Sequence, residues 1–229
     1  ALNSSERSLW FCRTRDGMRF YFDYISPYAY LAWTQMRGLS ARTGVAVEPV
    51  PILFAALLNH WGHKGPAEIP PKRLYVFKDV VRRAHAYGVP LQPPPSHPFN
   101  PLLALRVTEA APADRTAEVV DTLFAHTWGD AQPRGVDQPE TMRAILAPLG
   151  LEALVEAAGT KPIKDAIRTH TEAALTAGVF GVPSMVVEGE VFWGTDSLAH
   201  LENHLNGDDP VDDALLARWR DLPVGQARR

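Results

Sequence analysis

A serine stands where a strand gives way to a helix. In the segment Phe22-Asp23-Tyr24-Ile25-Ser26-Pro27-Tyr28-Ala29-Tyr30, the residues up to Tyr24 close a strand-like alternation that begins at Met18, with Phe20 and Phe22 on one face and Arg19, Tyr21 and Asp23 on the other. Ser26-Pro27 then reads as a helix N-cap followed by a first-turn proline. A helix start carries unpaired N–H groups and about half a positive charge. A hydroxyl placed there sits where a thiolate is stabilised, so Ser26 is the first candidate catalytic residue. A serine that only caps the helix explains the same dipeptide.

Two later stretches also carry polar groups in functional arrangements. Gly178-Val179-Phe180-Gly181-Val182-Pro183-Ser184 is glycine-rich and enters a strand through a proline. If Val182-Pro183 is cis, Val182 turns its N–H and C=O outward to pair with an extended peptide; a trans proline opening an edge strand is the other reading. In Phe192-Trp193-Gly194-Thr195-Asp196-Ser197 a strand end runs into a capped helix, a turn that can receive the head of a free α-amino acid. Asp196 would meet the ammonium and the helix N-terminus the carboxylate; plain N-capping by Asp196 is the alternative. His60 and His63 stand three apart without an HExxH pattern or a further spaced ligand, so no metal site is expected.

The elements that must position these groups follow from apolar spacing. Tyr30, Leu31, Trp33, Thr34, Met36 and Leu39 define a helix that fades near Gly44, and Val45 to Val50 reads as a second strand. Strand, helix and strand in this order predict a right-handed βαβ unit with parallel strands. From Pro51 the period turns helical, over Leu74–Tyr87, Leu102–Ala111, Arg115–Trp128 and Pro139–Leu149, with Gln92-Pro93-Pro94-Pro95-Ser96 as a stiff loop. Asn100 and Arg106 read as structural ties within this part. Pro162–Thr176 is a further helix ended by Gly178, Ser184–Val187 and Val191–Trp193 form a short hairpin, Asp196 caps a helix through Leu205, and Pro210–Leu222 makes a last helix. The order βαβ, helical insert, ββα is an α/β, thioredoxin-like arrangement with a large all-helical insert. It divides the chain into an N-terminal extension (1–17), a thioredoxin-like domain (18–50 and 178–207), the insert (51–177) and a C-terminal helix and tail (208–229).

Composition narrows the function classes. A chain of 229 residues with 46% hydrophobic and 21% charged side chains has the makings of a core and excludes a disordered chain, a collagen-like chain and a coiled coil. A net charge of −3 offers no basic footprint for nucleic acid or an anionic membrane. The apolar run Val50 to Leu58 falls far short of the roughly 18 residues a spanning helix needs. One cysteine, Cys12, allows neither an intrachain disulfide nor a Cys-x-x-Cys redox pair, which excludes a disulfide oxidoreductase and suits a reducing cytoplasm. In 1–17, Glu6, Arg7, Arg13, Arg15 and Asp16 surround the short Leu9-Trp10-Phe11 patch, unlike the apolar core of a secretory signal.

Three segments in this order, Phe22-Asp23-x-x-Ser26-Pro27-Tyr28, Phe99-Asn100 to Arg106, and Gly178 to Pro183 followed by Phe192 to Asp196, resemble the 2-hydroxychromene-2-carboxylate isomerase and kappa-class glutathione transferase family over about 18–205. That family is a DsbA-like branch of the thioredoxin fold that replaces the redox cysteines with a serine. The resemblance implies glutathione as cofactor, with Ser26 bonding its sulfur, Val182 beside cis Pro183 pairing with its backbone, and Thr195, Asp196 and Ser197 holding its γ-glutamyl head. Lys72 matches a glutathione-site lysine of the family, whereas His63 stands where the family commonly has asparagine, a departure that an imidazole donor could bridge. The function implied is isomerisation of 2-hydroxychromene-2-carboxylate to trans-o-hydroxybenzylidenepyruvate, in catabolism of naphthalene-type aromatics. The partners would be glutathione and a small aromatic hydroxy acid, in a cytoplasmic homodimer. A kappa-like transferase or peroxidase, and a non-catalytic thioredoxin-fold binding module, are the alternatives.

Overall fold

The computed structural model describes residues 17–129, 134–223 and 225, so the extension read at 1–17 lies outside the described residues except for Gly17. Strand β1 (Met18–Phe22) leads into α1 (Pro27–Thr43), β2 (Val47–Pro51), α2 (Phe54–Trp61), α3 (Pro70–Tyr87), α4 (Leu102–Glu109), α5 (Thr116–Phe124), α6 (Pro139–Leu146), α7 (Leu154–Ala157) and α8 (Lys161–Thr176). The chain then returns as β3 (Ser184–Val187) and β4 (Glu190–Trp193), and ends with α9 (Leu198–Asn206) and α10 (Asp213–Arg220). The four strands lie in the order β2-β1-β3-β4. β1 and β2 run parallel, with Phe22 opposite Pro51, while β3 is antiparallel to β1, with Ser184 opposite Tyr21. The fold is thioredoxin-like and α/β, as the element order predicts.

Because strand side chains alternate, β1 feeds two layers. Met18, Phe20 and Phe22 point into a core shared with α1 and the insert, where Phe124 of α5 packs its ring 5.5 Å from Phe22 and 4.7 Å from Tyr24. Tyr21 points the other way, with Val50, Ile52, Leu57, Ala174, Val179 and Val182, under α2 and α8. The polar ends of the strands gather at one edge of the sheet. Ser26 follows the C-terminal end of β1, residues 52–54 follow β2, and Pro183 precedes β3 at the same edge.

Several elements differ from expectation. Helix α2 arises from a stretch that showed only as an apolar run; its exposed side carries Asn59 and His60, and Gly62 ends it at φ 64°. The Arg115–Trp128 helix changes winding after Phe124 to a wide π-turn over Ala125–Gly129. Asp196 does not cap α9. Gly194, at φ 84°, lifts the chain so that Thr195–Ser197 wind as a 3₁₀ turn, and the Asp196 carboxylate folds back so closely that a Cβ at Gly194 would lie 2.6 Å from its Oδ1. The last helix is shorter than 210–222 and is capped by Asp212, whose side chain accepts from Leu215 N–H.

Candidate active site

Ser26 is an N-cap with extended backbone (φ −93°, ψ 114°), and Pro27 occupies the first turn of α1. Its Oγ accepts the Ala29 N–H at 3.2 Å and faces the Val182 carbonyl at 3.5 Å, the outer limit for donation. The cap and the candidate catalytic hydroxyl are therefore one group with its own proton loosely held. Val182–Pro183 is cis. Val182 is 7% exposed, its carbonyl faces Ser26, and its N–H makes no hydrogen bond among the described residues. Gly194 N–H bonds the Pro183 carbonyl at 2.9 Å, which brings the Thr195–Ser197 turn to the same edge.

The turn before Ser26 closes on a backbone bond from Ser26 N–H to the Asp23 carbonyl at 3.1 Å, and side chains hold the rest of it. Trp128 Nε1 donates to the Tyr24 carbonyl at 2.8 Å, Asp23 Oδ1 accepts Ile25 N–H at 3.1 Å, and His97 Nε2 bonds the Ile25 carbonyl at 3.0 Å. The second carboxylate oxygen of Asp23 accepts Phe54 N–H at 3.0 Å and so ties the β1–α1 turn to the start of α2. Burial pushes the Asp23 carboxyl up to about 7 against the pull of these two backbone donors. Burial also lowers the His97 pKa, with the Ile25 bond opposing and the Arg73 charge adding to it. At neutral pH His97 is then an uncharged ring that donates through Nε2, a spacer for the turn whose other nitrogen is buried and makes no bond among the described residues.

A second tie links α1 to the Thr195–Ser197 turn through α3. Tyr28 Oη donates to Asp79 Oδ2 at 2.8 Å, Arg83 Nε donates to the same oxygen at 2.7 Å, and Arg83 Nη1 donates to Thr195 Oγ1 at 3.1 Å. The guanidinium also lies 5.8 Å from the Tyr28 ring centroid. Burial disfavours the Asp79 anion, yet the hydrogen bonds from Arg83 and Tyr28 outweigh it and hold the carboxyl below the usual range. Asp79 and Arg83 escaped the sequence reading. Their i, i+4 spacing was visible, but the same spacing describes a solvated ion pair on any helix.

The candidate residues fall into two groups. Ser26, Val182, Pro183 and Thr195 are joined by the contacts above, and Ser197 Oγ donates to the Gly194 carbonyl at 2.9 Å within the same turn. Asp196 stands exposed on that turn. Lys72, in the first turn of α3, and His63, after α2, have exposed side chains, and no contact joins either to this group among the described residues. The loop beneath is walled by aromatics: Trp193, 52% exposed, meets Phe180 edge-on at 5.2 Å and covers Gly181, whose Cβ would lie 2.5 Å from the indole nitrogen. Trp61, from α2, donates to the Val179 carbonyl at 3.2 Å.

A capping hydroxyl beside the carbonyl that precedes a cis proline, on this sheet, defines a thioredoxin-like fold that presents a serine at the start of α1. The profile described as a DSBA-like thioredoxin domain matches residues 18–206, and the chain belongs to that family. It is 34% identical over 191 residues to the 2-hydroxychromene-2-carboxylate isomerase of Sphingobium xenophagum, covering 81% of this chain and 96% of that one. Glutathione S-transferase kappa 1 of Homo sapiens is 25% identical, over 88% of this chain and 96% of that one. A solved structure of a 2-hydroxychromene-2-carboxylate isomerase superposes with a TM-score of 0.75 at 26% identity, over 90% of this chain and 98% of that one. Among the described residues no helix is long and apolar enough to cross a membrane.

Proposed function

We propose that this protein is a glutathione-dependent cis–trans isomerase of 2-hydroxychromene-2-carboxylate and its ring-opened form, trans-o-hydroxybenzylidenepyruvate, acting in the cytoplasm. The observation that carries the reading is the Ser26 hydroxyl, set at the α1 N-terminus and within reach of the Val182 carbonyl, in a chain whose relatives over four-fifths of its length include proteins named 2-hydroxychromene-2-carboxylate isomerase.

Bound glutathione supplies a thiol whose anion can add reversibly to a conjugated double bond and leave again, so that rotation occurs while that bond is single. The chain's residues fit such a ligand. Val182 offers a free N–H and a lightly used C=O to an extended peptide, Asp196 offers a carboxylate to an ammonium, and the Thr195–Ser197 turn presents backbone N–H groups to a carboxylate. Ser26 turns its proton from the Val182 carbonyl to the sulfur, while its oxygen keeps the Ala29 N–H. A hydrogen bond to a charged group is worth about 1.5–3 kcal/mol. At about 1.36 kcal/mol per pH unit, that lowers a thiol from about 8.5 by about one to two, which raises the anion at pH 7 from about 3% to about a quarter at the smaller shift and about three-quarters at the larger. No base beside Ser26 is needed for this, and His97 is committed to the Ile25 carbonyl. The exposed aromatics Trp193 and Phe180 suit a flat apolar substrate.

The test is an absorbance assay of 2-hydroxychromene-2-carboxylate with and without glutathione; turnover that is independent of glutathione overturns the reading. The kappa-class relatives favour a second reading, a glutathione transferase, which predicts conjugation of a chlorodinitrobenzene-type electrophile in place of isomerisation.

A further inference from the structure

A cavity of about 370 Å³ opens between the start of α2, α4 and α8. None of Ser26, Val182, Thr195 or Asp196 lines it. Its volume lies within the range of small-molecule sites, and at about 30 Å³ per water-sized atom it holds roughly a dozen non-hydrogen atoms. Leu53, Leu102 and Ile167 give it apolar walls, and three cations, Arg106, Lys164 and Arg168, converge on it. The single carboxylate of the lining, Glu172, lies 3.8 Å from Arg168, which Asp165 also engages at 3.2 Å.

Arg106 and Lys164 have no carboxylate partner among the described residues, and Arg106 Nε is buried without a hydrogen bond. A buried donor left unmade is costly, and a guanidinium is suited to a carboxylate. Arg106 is thus not the internal tie that its place in the sequence suggested. The rim is fixed by other groups: Thr171 Oγ1 accepts Leu53 N–H at 3.1 Å and donates to the Ile167 carbonyl at 2.8 Å.

We propose that this cavity is a second binding site, separate from the Ser26 cleft, for a small organic carboxylate with a flat apolar body, its carboxylate held by Arg106 and Lys164 and its body against Leu53, Leu102 and Ile167. The apolar walls exclude inorganic anions as the preferred occupant, and the unpaired cations exclude a neutral hydrocarbon. The site does not depend on glutathione being the cofactor.

The experiment is calorimetry of the full chain with 1-naphthoate and with the neutral 1-naphthamide, each repeated in saturating S-methylglutathione. Naphthoate is expected to bind at least tenfold more tightly than the amide, with S-methylglutathione leaving it in place. Lys164→Gln, at an exposed position that folding tolerates, and Arg106→Gln are each expected to weaken naphthoate about five- to twentyfold and leave the amide unchanged. Equal binding of acid and amide, unchanged binding in Lys164→Gln, or displacement of naphthoate by S-methylglutathione overturns the second site. If S-methylglutathione itself gives no heat of binding, the glutathione reading fails while the naphthoate result stands on its own.

Discussion

Ser26 carries two duties that substitution separates. As a cap it accepts the Ala29 N–H, and as a donor it faces the place where a sulfur would lie. Ser26→Ala is expected to keep most of the glutathione affinity, because the other contacts of the ligand remain. The pH profile of the rate moves to the alkaline side by about one to two pH units, and turnover at neutral pH falls about eight- to twenty-five-fold, as the anion fraction does. An unshifted profile with full turnover would return Ser26 to the role of a cap. Asp196 is separable in the opposite sense: Asp196→Ala leaves a ligand ammonium unpaired and weakens glutathione binding by about 1.5–3 kcal/mol, roughly ten- to a hundredfold, measurable by calorimetry.

At the scale of elements, two ties set the cleft and each has a pH signature. Arg83→Met removes the link from α3 to Thr195 and leaves Asp79 with Tyr28 alone. Because the Asp79 carboxyl is held low in the folded state, it contributes stability above its unfolded pKa that is lost as pH falls through its folded value. The variant should lose about 1–2 kcal/mol at neutral pH, a figure reduced for the partial exposure of Arg83, and begin its acid decline at higher pH; urea midpoints against pH read both. Asp23 works with the other sign. Its folded pKa is raised to about 7, so the folded chain holds a proton that the unfolded chain releases above about 4. That contribution is fully present below about pH 4, declines up to about pH 7, and is constant beyond. The loss amounts to roughly 4 kcal/mol at about 1.36 kcal/mol per pH unit. Asp23→Asn, neutral at every pH, should lack this decline, and a parent and variant with parallel pH profiles would show that Asp23 titrates alike in the folded and unfolded chains.

The molecule as a whole has its insert and its sheet in one core. Phe124, 1% exposed on α5, packs against Phe22 and Tyr24 of the β1 end and lies 6.1 Å from Tyr30 of α1. Phe124→Ala should therefore cost about 3–5 kcal/mol and loosen the Ser26 turn together with the insert. Circular dichroism and tryptophan fluorescence are expected to report one coincident unfolding transition in parent and variant. Two separated transitions would mean that the helical insert folds on its own.

The amino-acid order by itself determined the βαβ, insert, ββα plan, the Ser26-Pro27 helix start and the glycine-proline entry to β3, because periodicity and capping are short-range preferences that act within a few residues. Helix α2 stayed hidden because its short apolar run does not distinguish a buried helix from a strand. Asp196 looked like a cap because its sequence context is that of one; the φ of Gly194 and the bond from Gly194 N–H to Pro183 put it inside a 3₁₀ turn instead. The groups that hold the cleft were decided only by tertiary structure. Trp128 meets Tyr24, His97 meets Ile25, and Arg83 meets Thr195 across 104, 72 and 112 residues of chain. Arg106 and Lys164 likewise share a cavity only once α4 and α8 have packed. Pairings at such separations depend on how helices dock, and docking depends on the shape of the whole core, which no local pattern of residue types encodes.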